Sequence, residues 1–291
     1  MASRKSVRVQ RDPFAADLDP APTMTEHAED LFEQARRKED KRQFARPLQI
    51  MSIRPDPTQP RRAIPHSVRA RWNGQPDSLP QVFDFWRRLA EAERKSELDL
   101  AAYVMAQGDR PEADEGAYRP LEYSLLSLAD LAANIRHHGL MNPITVVRSG
   151  EMYQIETGER RWLAHHLLYM LTRDADWLII AARVVDAPSV GRQAGENSAR
   201  TNLNAVSKAR QFALLLMDLY RQPDSSGDSS TFRSFQEIVP AEGSDRLFYV
   251  QVADSDQFRI PKGKGELMLN AMGLKGRAGF SRYRALLHLP D

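Results

Sequence analysis

Residues 139–162 read Gly139-Leu140-Met141-Asn142-Pro143-Ile144-Thr145-Val146-Val147-Arg148-Ser149-Gly150-Glu151-Met152-Tyr153-Gln154-Ile155-Glu156-Thr157-Gly158-Glu159-Arg160-Arg161-Trp162. Two runs with branched and aromatic residues, Ile144 to Val147 and Met152 to Glu156, flank the turn Ser149-Gly150, which is the pattern of a β-hairpin. Thr157-Gly158 then hands the chain to a helix that starts near Glu159 and runs through Trp162, Leu163, Leu167 and Met170. Gly158 lets the backbone approach a ligand closely. Upstream, Ser127 stands as a helix cap with Asp130 at the capping-box position, and Leu128, Leu131, Ala132 and Ile135 recur at helical spacing. Gly139 follows where the chain must leave that helix with positive φ. The spacing predicts a helix over 127–138, two strands and a second helix.

A helix start presents unpaired backbone donors and positive dipole density. A strand-Gly-helix junction followed by Arg160 and Arg161, whose guanidinium forks match phosphate, therefore suits a polyphosphate better than a neutral ligand. For an isolated Glu-Arg-Arg, a solvated first turn is the plainer reading.

Segment 128–168 resembles the core of the ParB/partition-protein N-terminal domain, with its helix, its Gly-x-x-x-Pro-Ile-x-Val stretch (Gly139 to Val146 here) and its Gly-Glu-Arg-Arg turn. Two further blocks match in order. Ile53 to Arg61 looks like the family's opening block, with Asp56 in place of the usual Asn, and Glu196 to Leu203 follows the pattern Glu-Asn-x-x-Arg-x-x-Leu. The resemblance implies an α+β domain of the ParB/sulfiredoxin type, with a small mixed sheet and helices, followed by an all-α helix-turn-helix. It also implies a site for cytidine triphosphate (CTP) with magnesium. Carried over by position, Gly158, Glu159, Arg160 and Arg161 hold the triphosphate, and Thr157 and Arg200 are further nucleotide-binding residues. Gly139, Leu140, Asn142 and Pro143 lie near base and sugar, and Glu196 and Asn197 meet the metal. Oxygen ligands of that kind suit magnesium. Read alone, Glu196-Asn197 is a helix-capping pair.

The second basic element is C-terminal. Gly265 to Met272 and Arg277 to Leu289 read as two helices joined by Gly273-Leu274, a helix-turn-helix pattern. Tyr283, Leu286, Leu287 and Leu289 form the expected buried face, and Arg277, Ser281, Arg282 and Arg284 the outward one. From Gln257 to Asp291 seven Lys or Arg face two acids, a local excess of five, whereas the whole chain carries only +2. Basic charge placed in this way expects a phosphate backbone, and Lys262, Lys264, Lys275, Arg277, Ser281, Arg282 and Arg284 are the candidate contacts to double-stranded DNA. Gly276 and Gly279 weaken the start of the second helix.

With 291 residues and 42% apolar content the chain can build two compact units plus tails. It contains no cysteine, which excludes thiol catalysis, disulfides and cysteine zinc sites. The polar start and the absence of a long apolar run predict a cytoplasmic protein with no membrane partner, and the resemblance implies association with nucleoid or plasmid. The expected organisation is a disordered arm over 1–45 with one weak helix between Thr25 and Lys41, then a nucleotide-binding domain over 46–190 interrupted by an insertion at about 62–118. Connecting helices over 191–222, a linker over 223–234 and the helix-turn-helix over 235–291 follow. Within the insertion a helix runs from Pro80 to about Ala106, with Phe83, Phe85 and Trp86 packing on the domain. His137, His138, His165 and His166 lack the companions of a metal site.

The expected function is DNA partition or regulation of a plasmid or mobile element, with CTP and magnesium as a switch. The resemblance further implies a homodimer and a partner ATPase. Two alternatives stay open: a ParB-like nuclease or slow nucleotide hydrolase, with Glu159 as the candidate catalytic carboxylate, and a helix-turn-helix regulator that ignores nucleotides.

Overall fold

Strands β3 (Ile144–Ser149) and β4 (Met152–Thr157) pair antiparallel across the predicted turn, with Gly150 at φ +64°. Ile144 and Val146 are fully buried while their neighbours are half-buried, so the pleat puts one face of β3 into the core. Strand β5 (Ile179–Val185) lies parallel to β3, β1 (Arg46–Gln49) antiparallel to β5, and β2 (Ile53–Arg54) parallel to β4. The result is a mixed five-stranded sheet in the order β1-β5-β3-β4-β2. This computed structural model describes residues 44–106, 118–191, 193–194, 204–221, 232–235, 237–238 and 245–289; the expected arm up to residue 43, with its weak helix, lies outside them, as does most of the expected linker.

The α-helices bounded within the described residues are α1 (His66–Arg69), α2 (Leu79–Arg94), α3 (Leu100–Met105), α4 (Pro120–His138), α5 (Glu159–Thr172), α6 (Ala205–Arg221), α7 (Arg246–Val250), α8 (Gly265–Met272) and α9 (Ala278–Leu287). One apolar core joins the sheet to α2, α4 and α5. Its largest buried side chains include Trp86 and Trp162. Each satisfies its indole N–H on a distant carbonyl, Trp162 on Ile50 at 3.0 Å and Trp86 on Leu121 at 3.2 Å. A second core joins α6 to α7, α8 and α9.

Two helix boundaries differ from the expectation. Helix α4 begins at Pro120 rather than Ser127, because Pro120 fits a first helical position and the Glu122 carboxylate accepts from the Arg119 backbone N–H at 3.4 Å. Ser127 and Asp130 lie inside the helix, where Asp130 accepts from the Tyr103 hydroxyl at 2.8 Å. The single helix expected from Pro80 to Ala106 is two. Helix α2 stops at Lys95, whose φ is +64°, and Asp99 caps α3 by accepting from the Ala102 N–H at 2.8 Å. Phe83 and Trp86 sit in the main core, and Phe85 lies at its margin under Arg71.

His165 and His166 are both buried on α5, the first edge-on to Trp177 and the second edge-on to Trp162. Burial disfavours their charged forms and pushes His166 down to about 3.

If the segment after β2 is part of the core, Trp86→Ala costs about 3–5 kcal/mol in denaturant unfolding. A merely decorative insertion leaves the midpoint in place. The buried histidines make a second expectation. Between pH 6.5 and about 3 the unfolded state holds a proton that folded His166 does not. Its stabilising contribution is therefore complete above pH 6.5 and falls by about 1.4 kcal/mol per unit as pH drops through that window. Unfolding free energies between pH 8 and 4 read this slope, and His166→Gln flattens it.

Candidate functional site

Strand β4 ends at the buried Thr157, and the chain turns through Gly158 at φ +98° directly into α5. No other residue fits there. A Cβ on Gly158 would lie 2.7 Å from Ile144 Cγ2 and 3.1 Å from the Arg161 guanidinium carbon, on top of the left-handed backbone penalty. Arg161 is buried and reaches back across this turn, donating from Nη1 to the carbonyls of Asn142 at 2.6 Å and Pro143 at 2.7 Å. The structure thereby brings together Asn142, Pro143, Thr157, Gly158 and Arg161. Gly139 takes φ +74° at the end of α4, with Leu140 half-buried beside it. Arg160 turns the other way and donates from Nη2 to the Ser127 carbonyl at 2.7 Å and hydroxyl at 2.8 Å. Both arginines thus fasten α5 to its neighbours, Arg161 to the 139–143 loop and Arg160 to α4.

Glu159 is buried at the first position of α5, with the Arg69 guanidinium 3.6 Å from its Oε1. Burial pushes its carboxyl above the usual range, opposed by the charges of Arg69, Arg62 and Arg61. Asp56 is likewise raised by burial, although it accepts from the Thr58 N–H at 2.8 Å and hydroxyl at 2.7 Å. The opening block therefore lies beside the turn. Gln59 donates to the Glu156 carbonyl at 2.6 Å and fixes the two segments together. Arg62 pairs with Asp245, which also faces Arg210 at 3.7 Å, and the Tyr249 hydroxyl donates to the Thr58 carbonyl at 3.2 Å. The sequence marks this block by its motif, with none of its residues among the site candidates. The adjacent Arg61-Arg62 was the available signal; Arg69, eight residues beyond Arg61, had none. A cleft of about 410 Å³ lies alongside, lined by Asp56, Thr58, Gln154, Glu156, Arg221 and Phe248 among others, and by none of residues 158–161.

At the C-terminal end α8 and α9 match the expected helices closely, separated by Gly273 at φ +62°. Lys262, Lys275, Arg277, Ser281 and Arg282 are exposed, and Lys264 is half-buried. Arg277 stands at the start of α9 and packs its guanidinium against Gly265, where a Cβ would meet it at 2.7 Å. Arg284 is a correction. It is buried, lies over the Phe212 ring, and donates to the carbonyls of Val252, Asp254 and Phe258. The buried stripe of α9 is Phe280, Tyr283, Arg284 and Leu287, an i, i+3, i+4, i+7 set, whereas Leu289 is exposed. An arginine in such a stripe is buried when backbone carbonyls receive its donors.

Glu196, Asn197 and Arg200 lie outside the described residues. No helix among the described residues is long and apolar enough to cross a membrane.

Residues 112–184 match the ParB N-terminal domain family model. The chain is similar to the probable chromosome-partitioning protein ParB of Coxiella burnetii, 33% identical over 102 residues, which are 35% of this chain and 34% of that protein. It is also similar to the probable chromosome-partitioning protein ParB of Helicobacter pylori, 37% identical over 34% of this chain and 33% of that protein. A nucleoid occlusion protein of Shouchella clausii is 35% identical over 31% of this chain and 30% of its own length. The matches span about a third of the length of these curated relatives.

Gly158→Ala has to relieve both strain and overlap, so it is expected to destabilise the fold by about 2 kcal/mol or more. Thermal unfolding beside a Gly150→Ala control, where the added Cβ meets nothing within 4 Å, separates the overlap from the backbone penalty common to both sites.

Proposed function

We propose that this chain, whose residues 112–184 match the ParB N-terminal domain, is a DNA-binding protein of partition, or of plasmid or mobile-element control, switched by CTP with magnesium. The observation that carries the nucleotide part is the β4-Gly158-α5 junction. A left-handed glycine with no room for a Cβ opens a 14-residue helix whose first three residues are Glu159, Arg160 and Arg161. The helix start and the loop clasped by Arg161 suit a triphosphate, which needs charge neutralisation from several directions.

In this reading Thr157 to Arg161 hold the phosphates, and Gly139, Leu140, Asn142 and Pro143 face base and sugar. Glu196, Asn197 and Arg200 complete the site at magnesium and phosphate. Bound magnesium would supply charge neutralisation between phosphate oxygens. The protein's own part is orientation. Arg161 holds the 139–143 loop at the helix start, and Arg160 ties that start to α4. Ligand contacts at these residues bias both elements at once, which is the physical content of a switch. A homodimer and a partner ATPase belong to the same reading.

The DNA part rests on the exposed Lys262, Lys275, Arg277, Ser281 and Arg282, with half-buried Lys264, around α8 and α9. Arg284 is removed from this set because its donors are taken by backbone carbonyls.

Calorimetric titration of the full chain with CTP, ATP, GTP and UTP in magnesium tests the first part. Selective CTP binding that falls at least tenfold in Arg160→Ala and Arg161→Ala is expected, and a protein that ignores every nucleotide returns the plain regulator. For DNA, replacing Lys275, Arg277 and Arg282 with Gln is expected to weaken binding to all sequences and to lower the slope of log affinity against log salt by about 3. Arg284→Ala instead destabilises the helical region by about 1–3 kcal/mol, since it strands buried carbonyls.

A further inference from the structure

Arg69 sits on α1, in the stretch that sequence reading set apart as an insertion, and its Nη1 lies 3.6 Å from Glu159 Oε1. The two side chains are 14% and 5% exposed. At that distance the contact is Coulombic and not a hydrogen bond. Neither Arg69 Nη1 nor either carboxylate oxygen of Glu159 makes any hydrogen bond. Burial has stripped both groups of water, disfavouring the charged form of each, without the hydrogen bonds that normally offset such a loss. Orphaned atoms of this kind call for a cause, and their location supplies one. They lie at the first turn of α5, immediately after Gly158, in the field of Arg61 and Arg62. Arg62 is already committed to Asp245.

We propose that Arg69 is a phosphate-binding residue contributed by the inserted segment: Glu159 holds Nη1 at the start of α5, and the remaining donors of the guanidinium reach an oxygen of the triphosphate chain. This rests on the nucleotide reading above and adds to it a ligand residue outside the Gly-Glu-Arg-Arg turn. The guanidinium matches a tetrahedral oxyanion in shape as well as charge, so an ammonium at the same position is a poorer partner. Integration of the insertion into the core is what makes the placement firm, because α2, which follows α1, packs against α4 and α5.

The experiment compares the intact wild-type chain with Arg69→Gln and Arg69→Lys, titrated with CMP, CDP, CTP and inorganic tripolyphosphate, with thermal unfolding as the folding control. Expected is a loss that grows with phosphate number, tenfold or more for CTP and tripolyphosphate and less than threefold for CMP, with Lys intermediate. Unchanged CTP affinity in folded Arg69→Gln, or an equal loss for CMP and CTP, overturns the inference while leaving the nucleotide site standing. A wild-type protein that binds none of the four overturns both. If Arg69→Gln fails to fold, Arg69→Lys decides: a reduced CTP-to-CMP affinity ratio supports the role, and a ratio equal to wild type rejects it.

Discussion

The reach of Arg161 across the β4-α5 turn is the interaction on which the N-terminal half depends. Its guanidinium caps the carbonyls of Asn142 and Pro143, which precede β3, from a side chain that begins just after β4. Hairpin, turn and helix are thereby closed into one unit. Closure is possible only because Gly158 has no Cβ, since one there would overlap Ile144 and crowd Arg161. Here one arginine satisfies two backbone carbonyls while delivering positive charge to a helix start.

The same economy of placement recurs in the second core. Arg284 satisfies carbonyls of the segment after α7 and lies on Phe212, tying α9 to α6. Between the two cores, Asp245 gathers Arg62 and Arg210 while Tyr249 donates to Thr58, so the opening block is anchored at the sheet by Gln59 and at the helical region by Arg62. Charge that would be costly alone in a buried setting is shared among several partners. A perturbation at the α5 start thus lies one residue group away from the contact that joins sheet and helices, through Arg62 and its influence on Glu159.

Helix ends show where local signals mislead. Ser127 and Asp130 make a plausible capping box, yet α4 begins at Pro120, because a competing start seven residues earlier also has its cap and lies on the same apolar stripe. A cap signature says that a helix can start, and packing decides whether it does. In the segment from Pro80 the apolar pattern is continuous, but Lys95 adopts a left-handed conformation and Asp99 restarts the helix. Exposed charged residues carry no periodic mark of such a break.

Local chemistry determined a large part of this protein. The hairpin, Gly139, Gly158, the start of α5 and the two C-terminal helices are written in adjacent residues, since turn glycines, strand alternation and helical spacing act over a few positions. So was the Gly-Glu-Arg-Arg turn, which lies within the stretch that matches the ParB N-terminal domain. What tertiary structure alone decided is which charged side chains share a space: Arg69 with Glu159, Arg62 with Asp245, and Arg284 turned inward rather than toward solvent. These pairings span 90, 183 and about 30 residues. Sequence spacing fixes which residues share a face of one element, but the burial of a charge depends on donors and acceptors brought by distant elements, and those are set only when the cores close.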